Sequence, residues 1–175
     1  MKKVWFLGLG LSLALVGCSD SGTDEAKKDE TSNATEENTN VAGDLMDFYL
    51  NLTTTVNGVD IDLNGYEEAM AGEAPPAGEE LEKMKEAAAA SATESAKAVE
   101  GMEIPEGLDD QKEAVESFKS TLKESFDMKA EALSKKGETD LAAANEKLNE
   151  AENQIKEILD EAGLVSSSLI SDLNG

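Results

Sequence analysis

One short stretch of the chain has the residue types and spacing of an ion-binding loop. Asp60-Ile61-Asp62-Leu63-Asn64-Gly65 fits the opening of a calcium loop, D-x-[DN]-x-[DN]-G. In such loops alternate oxygens converge on the ion and the glycine permits a sharp turn. Glu68 stands at the ninth position and can assist, but the twelfth position, which calls for a bidentate glutamate, is Ala71. Ile61 and Leu63 are apolar where these loops usually expose polar side chains. Calcium, with Asp60, Asp62, Asn64 and Glu68 as ligands, is the one cofactor the sequence raises; otherwise none is expected.

Other reactive constellations need residues that the chain lacks. It has no histidine, which removes the Ser-His-Asp triad, His-liganded zinc and the Glu-x-x-His di-iron pattern. Its basic residues are all lysine, so no guanidinium can clamp phosphate in bidentate fashion, and there is no glycine-rich phosphate loop. Paired carboxylates such as Glu79-Glu80 and Asp109-Asp110 have the right chemistry for acid–base work. Among 38 acidic residues they read as solvated helix surface instead. The expectation is a protein that is not an enzyme.

The formal net charge is -23. A chain this acidic is repelled by nucleic acid and by anionic headgroups, and attracts cations and basic partners. The same carboxylates also serve simply to keep a surface solvated.

The single cysteine, Cys18, has a context of its own. Lys2 and Lys3 precede an apolar run of 13 residues from Val4 to Val16, too short for an ordinary spanning helix and suited to the core of an export signal. The run ends in Leu15-Val16-Gly17-Cys18, which resembles the lipobox of bacterial lipoprotein precursors. The resemblance covers residues 1–18. It implies a diacylglyceryl group on the Cys18 thiol, cleavage after Gly17, and a mature protein that begins at Cys18. Two acyl chains suffice for stable membrane anchoring where one does not. The Lys-only basic set and the polar segment that follows are similar to lipoproteins of low-GC Gram-positive bacteria. With its one cysteine committed to the anchor, the domain has no intramolecular disulfide and must hold by packing.

Residues 19–41 are almost entirely polar or charged. They cannot bury enough surface to offset chain entropy, which predicts a disordered acidic tether. A flexible chain of that length spans roughly 25–30 Å.

From residue 42 the apolar spacing turns helical. Leu45, Tyr49, Leu52, Val56, Val59, Leu63, Tyr66 and Met70 recur at alternating steps of four and three, which predicts one long helix. Thr53 to Thr55, Asn57-Gly58 and Asn64-Gly65 oppose it locally, and a break into two helices is the alternative. Pro75-Pro76 closes that segment. A second helix over 79–100 carries a seam of small residues, including Ala88, Ser91 or Ala92, and Ser95. A third, opened by Pro105 and running over 106–135, presents Leu108, Val115, Phe118, Leu122, Phe126, Lys129 or Ala130, and Leu133. A fourth, capped by Thr139 or Asp140, carries Leu141, Ala144, Leu148, Ala151, Ile155, Ile158, Ala162, Val165 and Leu169.

Four helices joined by short turns predict an all-α, up-down-up-down antiparallel four-helix bundle. The expected organisation is a signal peptide over 1–17, lipidated Cys18 and linker over 18–41, and the bundle over 42–175. The function expected is a membrane-anchored, extracytoplasmic interaction or scaffold module of the cell envelope, with an unknown protein or envelope partner. The alternative is an extracytoplasmic module that binds a ligand or a cation.

Overall fold

A computed structural model describes residues 31–174, with side chains from Val41 onward. The export signal, Cys18 and the first part of the expected tether lie outside the described residues. Among the described residues the fold is all-helical, with no strand. Six α-helices follow in order: α1 (Thr31–Asn57), α2 (Ile61–Ala71), α3 (Glu79–Gly101), α4 (Lys112–Ser134), α5 (Ala142–Glu161) and α6 (Leu169–Leu173). A 3-10 turn, Glu106–Gln111, leads into α4.

The long helix expected over 45–70 is two helices. α1 stops at Asn57, and Gly58 to Asp60 form a turn in which the amides of Val59 and Asp60 both reach back to the Val56 carbonyl. The broken arrangement keeps Leu45, Tyr49, Leu52, Val56, Leu63 and Tyr66 buried, so the stripe survives a break in the backbone that carries it. Met70, the last residue of that stripe, is exposed. Asn57-Gly58 ends the helix, whereas Asn64-Gly65 lies inside α2. At its other end α1 begins at Thr31, ahead of the residue 42 boundary. Adding residues to a nucleated helix costs far less than starting one, and the packed part of α1 supplies the nucleus.

Pro75-Pro76 separate α2 from α3, whose first turn carries Glu79, Glu80 and Glu82 against the positive end of the helix dipole. The helix expected over 106–135 opens as the 3-10 turn, because Leu108 leaves helical geometry (φ -105, ψ 23) to bury its side chain. α4 then presents Val115, Phe118, Leu122, Phe126, Lys129 and Leu133 to the interior. The N-cap of α5 is Leu141, not Thr139 or Asp140, and it makes no side-chain cap bond; Asp140, one residue ahead, accepts from Ala142 N through Oδ1 at 2.9 Å.

α5 ends eight residues before Leu169, the last residue of the expected stripe. Gly163 adopts φ 75, the Gly163 amide donates to Asp160 O, and the Leu164 amide donates to Leu159 O. This pair of bonds, with Leu159 and Leu164 both against the core, is a Schellman stop. Beyond it Val165 points to solvent, and Leu169 is buried from the separate short helix α6.

The core draws on all six helices. α3 packs on α4 and α4 on α5, while α2 lies on α3 and α6 touches both α1 and α5.

Candidate functional site

The calcium-loop residues fall on a helix start rather than a loop. Asp60 precedes α2 and is buried; its carbonyl accepts from Asn64 N at 2.9 Å. Asp62 and Glu68 are exposed on α2, and Asn64 turns its amide to the Leu173 carbonyl at 2.9 Å. Successive helical residues differ by about 100° around the axis, so Asp60, Asp62 and Asn64 do not converge. Asp60 and Asn64 stay inside the fold, and the other two carboxylates face water. Among the described residues no group of three or more acidic side chains is arranged to hold a metal ion.

Asp60 instead belongs to a polar cluster where α2, α3 and α4 meet. Lys129 is 4% exposed and its Nζ lies 2.7 Å from Glu67 Oε1. Burial pushes the Asp60 carboxyl above its usual range, and the Asn64 amide and the Lys129 ammonium pull it part of the way back. Ser91 of α3 closes the break in the chain next to it. Its hydroxyl donates to Val59 O at 2.7 Å and accepts from Leu63 N at 3.3 Å. One side chain thus satisfies a carbonyl freed by the turn and an amide orphaned by the start of α2. Lys85, also buried, lies nearer the start of α3. Its Nζ donates to the carbonyls of Lys135 and Gly137 at 3.0 and 2.8 Å, fixing the chain as it leaves α4. Both lysines hold neighbouring segments in place, Lys129 through Glu67 and Lys85 through two carbonyls.

The second polar region is a cleft of about 540 Å³ between α1, the end of α5 and α6. α6 has only five residues, too few to hold itself by helix propensity. It is clamped by side chains from three other helices. Tyr49 Oη donates to Asp172 Oδ2 at 2.6 Å, and Ser167 donates to the same oxygen. Asn57 Nδ2 donates to the Asp172 carbonyl at 2.8 Å. Glu152 accepts from Ile170 N and from the Ser168 hydroxyl, both at 3.2 Å for Oε2. Burial, reinforced by the bond to Asp172, pushes the Tyr49 phenol up to about 12, so it acts as a neutral donor at physiological pH. Asn57 Oδ1 is buried there without a hydrogen-bond partner.

Comparisons with protein families, with curated proteins and with solved structures find no match.

The sequence pattern offered Lys129 or Ala130, and Ser91 or Ala92, for inner positions without assigning partners to any of them. The cleft was barely legible. Its one signal is Leu50, an aliphatic residue between Tyr49 and Leu52 that falls off the stripe and points outward. Asp172 gives no signal in the sequence, because its partners Tyr49 and Asn57 lie more than a hundred residues away.

Proposed function

We propose that this chain is the precursor of a bacterial lipoprotein, anchored by a diacylglyceryl group on Cys18 to the extracytoplasmic face of a cell membrane, where its helical domain acts as a non-enzymatic interaction module of the envelope. The observation that carries the reading is the ordered series of Lys2-Lys3, the apolar run to Val16, and Leu15-Val16-Gly17-Cys18. Among the described residues no helix is long and apolar enough to cross a membrane. The net charge of -23 favours a partner with basic character over nucleic acid. The organism proposed is a Gram-positive bacterium.

Within the domain we place α1 and α2 together as the first arm of an up-down-up-down bundle, with α3, α4 and α5 as the others. Contacts between successive helices support that order.

Mass spectrometry of the protein extracted from membranes tests the anchor. The N-terminal peptide should begin at Cys18 and carry acyl mass, and Cys18→Ser should leave uncleaved, unacylated precursor. A wild-type peptide without acyl mass would overturn the reading. A calcium titration addresses the alternative, a cation-binding module. Saturation near one ion per chain, lost in the exposed-site variant Asp62→Asn, would favour it; weak, salt-sensitive uptake at many carboxylates would not.

A further inference from the structure

The cleft between α1, α5 and α6 has apolar rims and one charge. Four large hydrophobic side chains are exposed among the described residues, Leu50, Ile61, Met70 and Val165. Two of the four, Leu50 at 54% and Val165 at 93% exposure, line this one cleft. Met46 and Leu159 add to its apolar wall. Exposed aliphatic groups gathered at one concavity mark a contact surface more often than chance scatter does.

The polar groups of the cleft point to the charge of what fits. No lysine lines it, and its one charged residue is Asp172. Both hydrogen bonds to that carboxylate fall on Oδ2, so Oδ1 has no protein donor among the described residues. Asn57 adds an acceptor without a donor. An anionic occupant would meet an unscreened carboxylate on a chain of net charge -23, whereas a cation finds both short-range and long-range attraction.

We propose that this cleft binds a cationic amphipathic segment of a partner protein, one aliphatic side chain seated between Leu50 and Val165 and an adjacent lysine or arginine meeting the Asp172 carboxylate. The proposal deepens the interaction-module reading and rests on it for the kind of partner, but not on acylation of Cys18. A peptide fits better than a small solute because the rims stand on two separate elements, α1 and the link between α5 and α6, with open solvent along the cleft. An aliphatic side chain can bridge them while its backbone continues past.

The test uses the full chain in neutral detergent and a short fluorescent peptide of alternating leucine and lysine, read by anisotropy. Wild type should saturate at one peptide per chain. Leu50→Ser and Val165→Ser, both at exposed positions, should each weaken binding about tenfold, as loss of one buried aliphatic contact does. Asp172→Asn keeps an acceptor for Tyr49 and should weaken binding while flattening its salt dependence. Equal binding by wild type and all three variants would overturn the proposal. So would equal binding of tetralysine, which would mean attraction to acidic surface alone. A chain that binds the peptide but lacks acyl mass on Cys18 would support the cleft and overturn the anchor, so the two failures are distinguishable.

Discussion

The α3–α4–α5 half of the domain and the α1–α2–α6 half solve the same packing problem by different means. In the first, long helices carry an unbroken apolar face, and Phe118, Leu122, Ile155 and Leu159 bury their side chains by periodicity alone. In the second, the chain breaks at Gly58 and again after Gly163, and polar side chains mend the gaps. Ser91 joins the two sides of the first break, while Tyr49, Asn57, Asn64 and Glu152 hold α6 in place. Hydrophobic burial is non-directional and tolerates small shifts; hydrogen bonds to orphaned backbone groups do not. The regular half should therefore respond to charge in the core, and the broken half to loss of a single hydroxyl.

The largest effect belongs to the regular half. Ile155→Asp places an unpaired carboxylate in the core of α5 and should destabilise the fold by roughly 3–5 kcal/mol. Val165→Asp, on the same expected stripe but beyond the stop at Gly163, should change stability by less than about 0.5 kcal/mol. Urea midpoints would show the contrast. Equal losses at the two positions would mean that α5 continues through Val165.

That pair also marks what was legible. The alternation of threes and fours identified nearly every buried aliphatic residue from Leu45 to Ile158. It failed at Val165, where a spacing rule runs past the end of α5, and at Met70, which lies inside α2 but on its exposed side. Periodicity records which side chains need burial; it does not record whether the backbone between them is continuous. The stop at Gly163 depends on a positive φ, and the turn at Gly58 to Asp60 depends on Ser91, 31 positions beyond Asp60 in the chain. Asp60 was read for its oxygen chemistry because its neighbours matched a motif. Its burial and the charge of Lys129, which its carboxyl feels from α4, are set by residues far along the chain, and no local pattern contains that information.

Two serines one turn apart on α3, one bonded to the broken half and the other to its own helix, sharpen the contrast. Ser91 and Ser95 are both buried, but Ser95 donates to the Ser91 carbonyl of its own helix, at 3.0 Å. That carbonyl keeps its helical bond without the hydroxyl, so Ser95→Ala should cost less than about 0.5 kcal/mol. Ser91→Ala strands Val59 O and Leu63 N away from water and should cost about 1–3 kcal/mol. Equal costs would show that the turn has another support.

Acid should act on the same junction through Asp60. Its folded-state carboxyl sits above the usual range because of burial, so the folded chain binds that proton more readily than the unfolded chain does. The contribution to stability is then greatest below the unfolded value, about pH 4, and is lost as pH rises through the raised folded value. Asp60→Asn cannot titrate. The difference in urea midpoint between wild type and Asp60→Asn should shift against wild type as pH rises through that window. A difference that stays constant with pH would show that Asp60 titrates as an ordinary carboxylate.

The smallest effect concerns the two Asn-Gly pairs, which look alike in sequence and differ in the fold. Gly65 lies inside α2, without a positive φ, and a Cβ built there meets no atom within 4 Å. Alanine restricts the unfolded chain and costs nothing in the folded one, so Gly65→Ala should stabilise by about 0.5–1 kcal/mol. Gly58 also lacks a positive φ, but a Cβ there falls 3.3 Å from the Thr55 carbonyl oxygen, which is backbone and cannot swing aside. Crowding at that contact offsets the entropic gain, so Gly58→Ala should be neutral or slightly destabilising. Thermal unfolding of the two variants decides between them. A gain at both positions would argue that α1 and α2 relax toward one continuous helix when the glycines are removed. A loss at Gly65 would mean that Asp60 to Gly65 prefers a loop, and calcium-dependent hydrogen-exchange protection of Asp60 to Glu68 would then be the measurement to make, because only an ion would repay the opening of that helix.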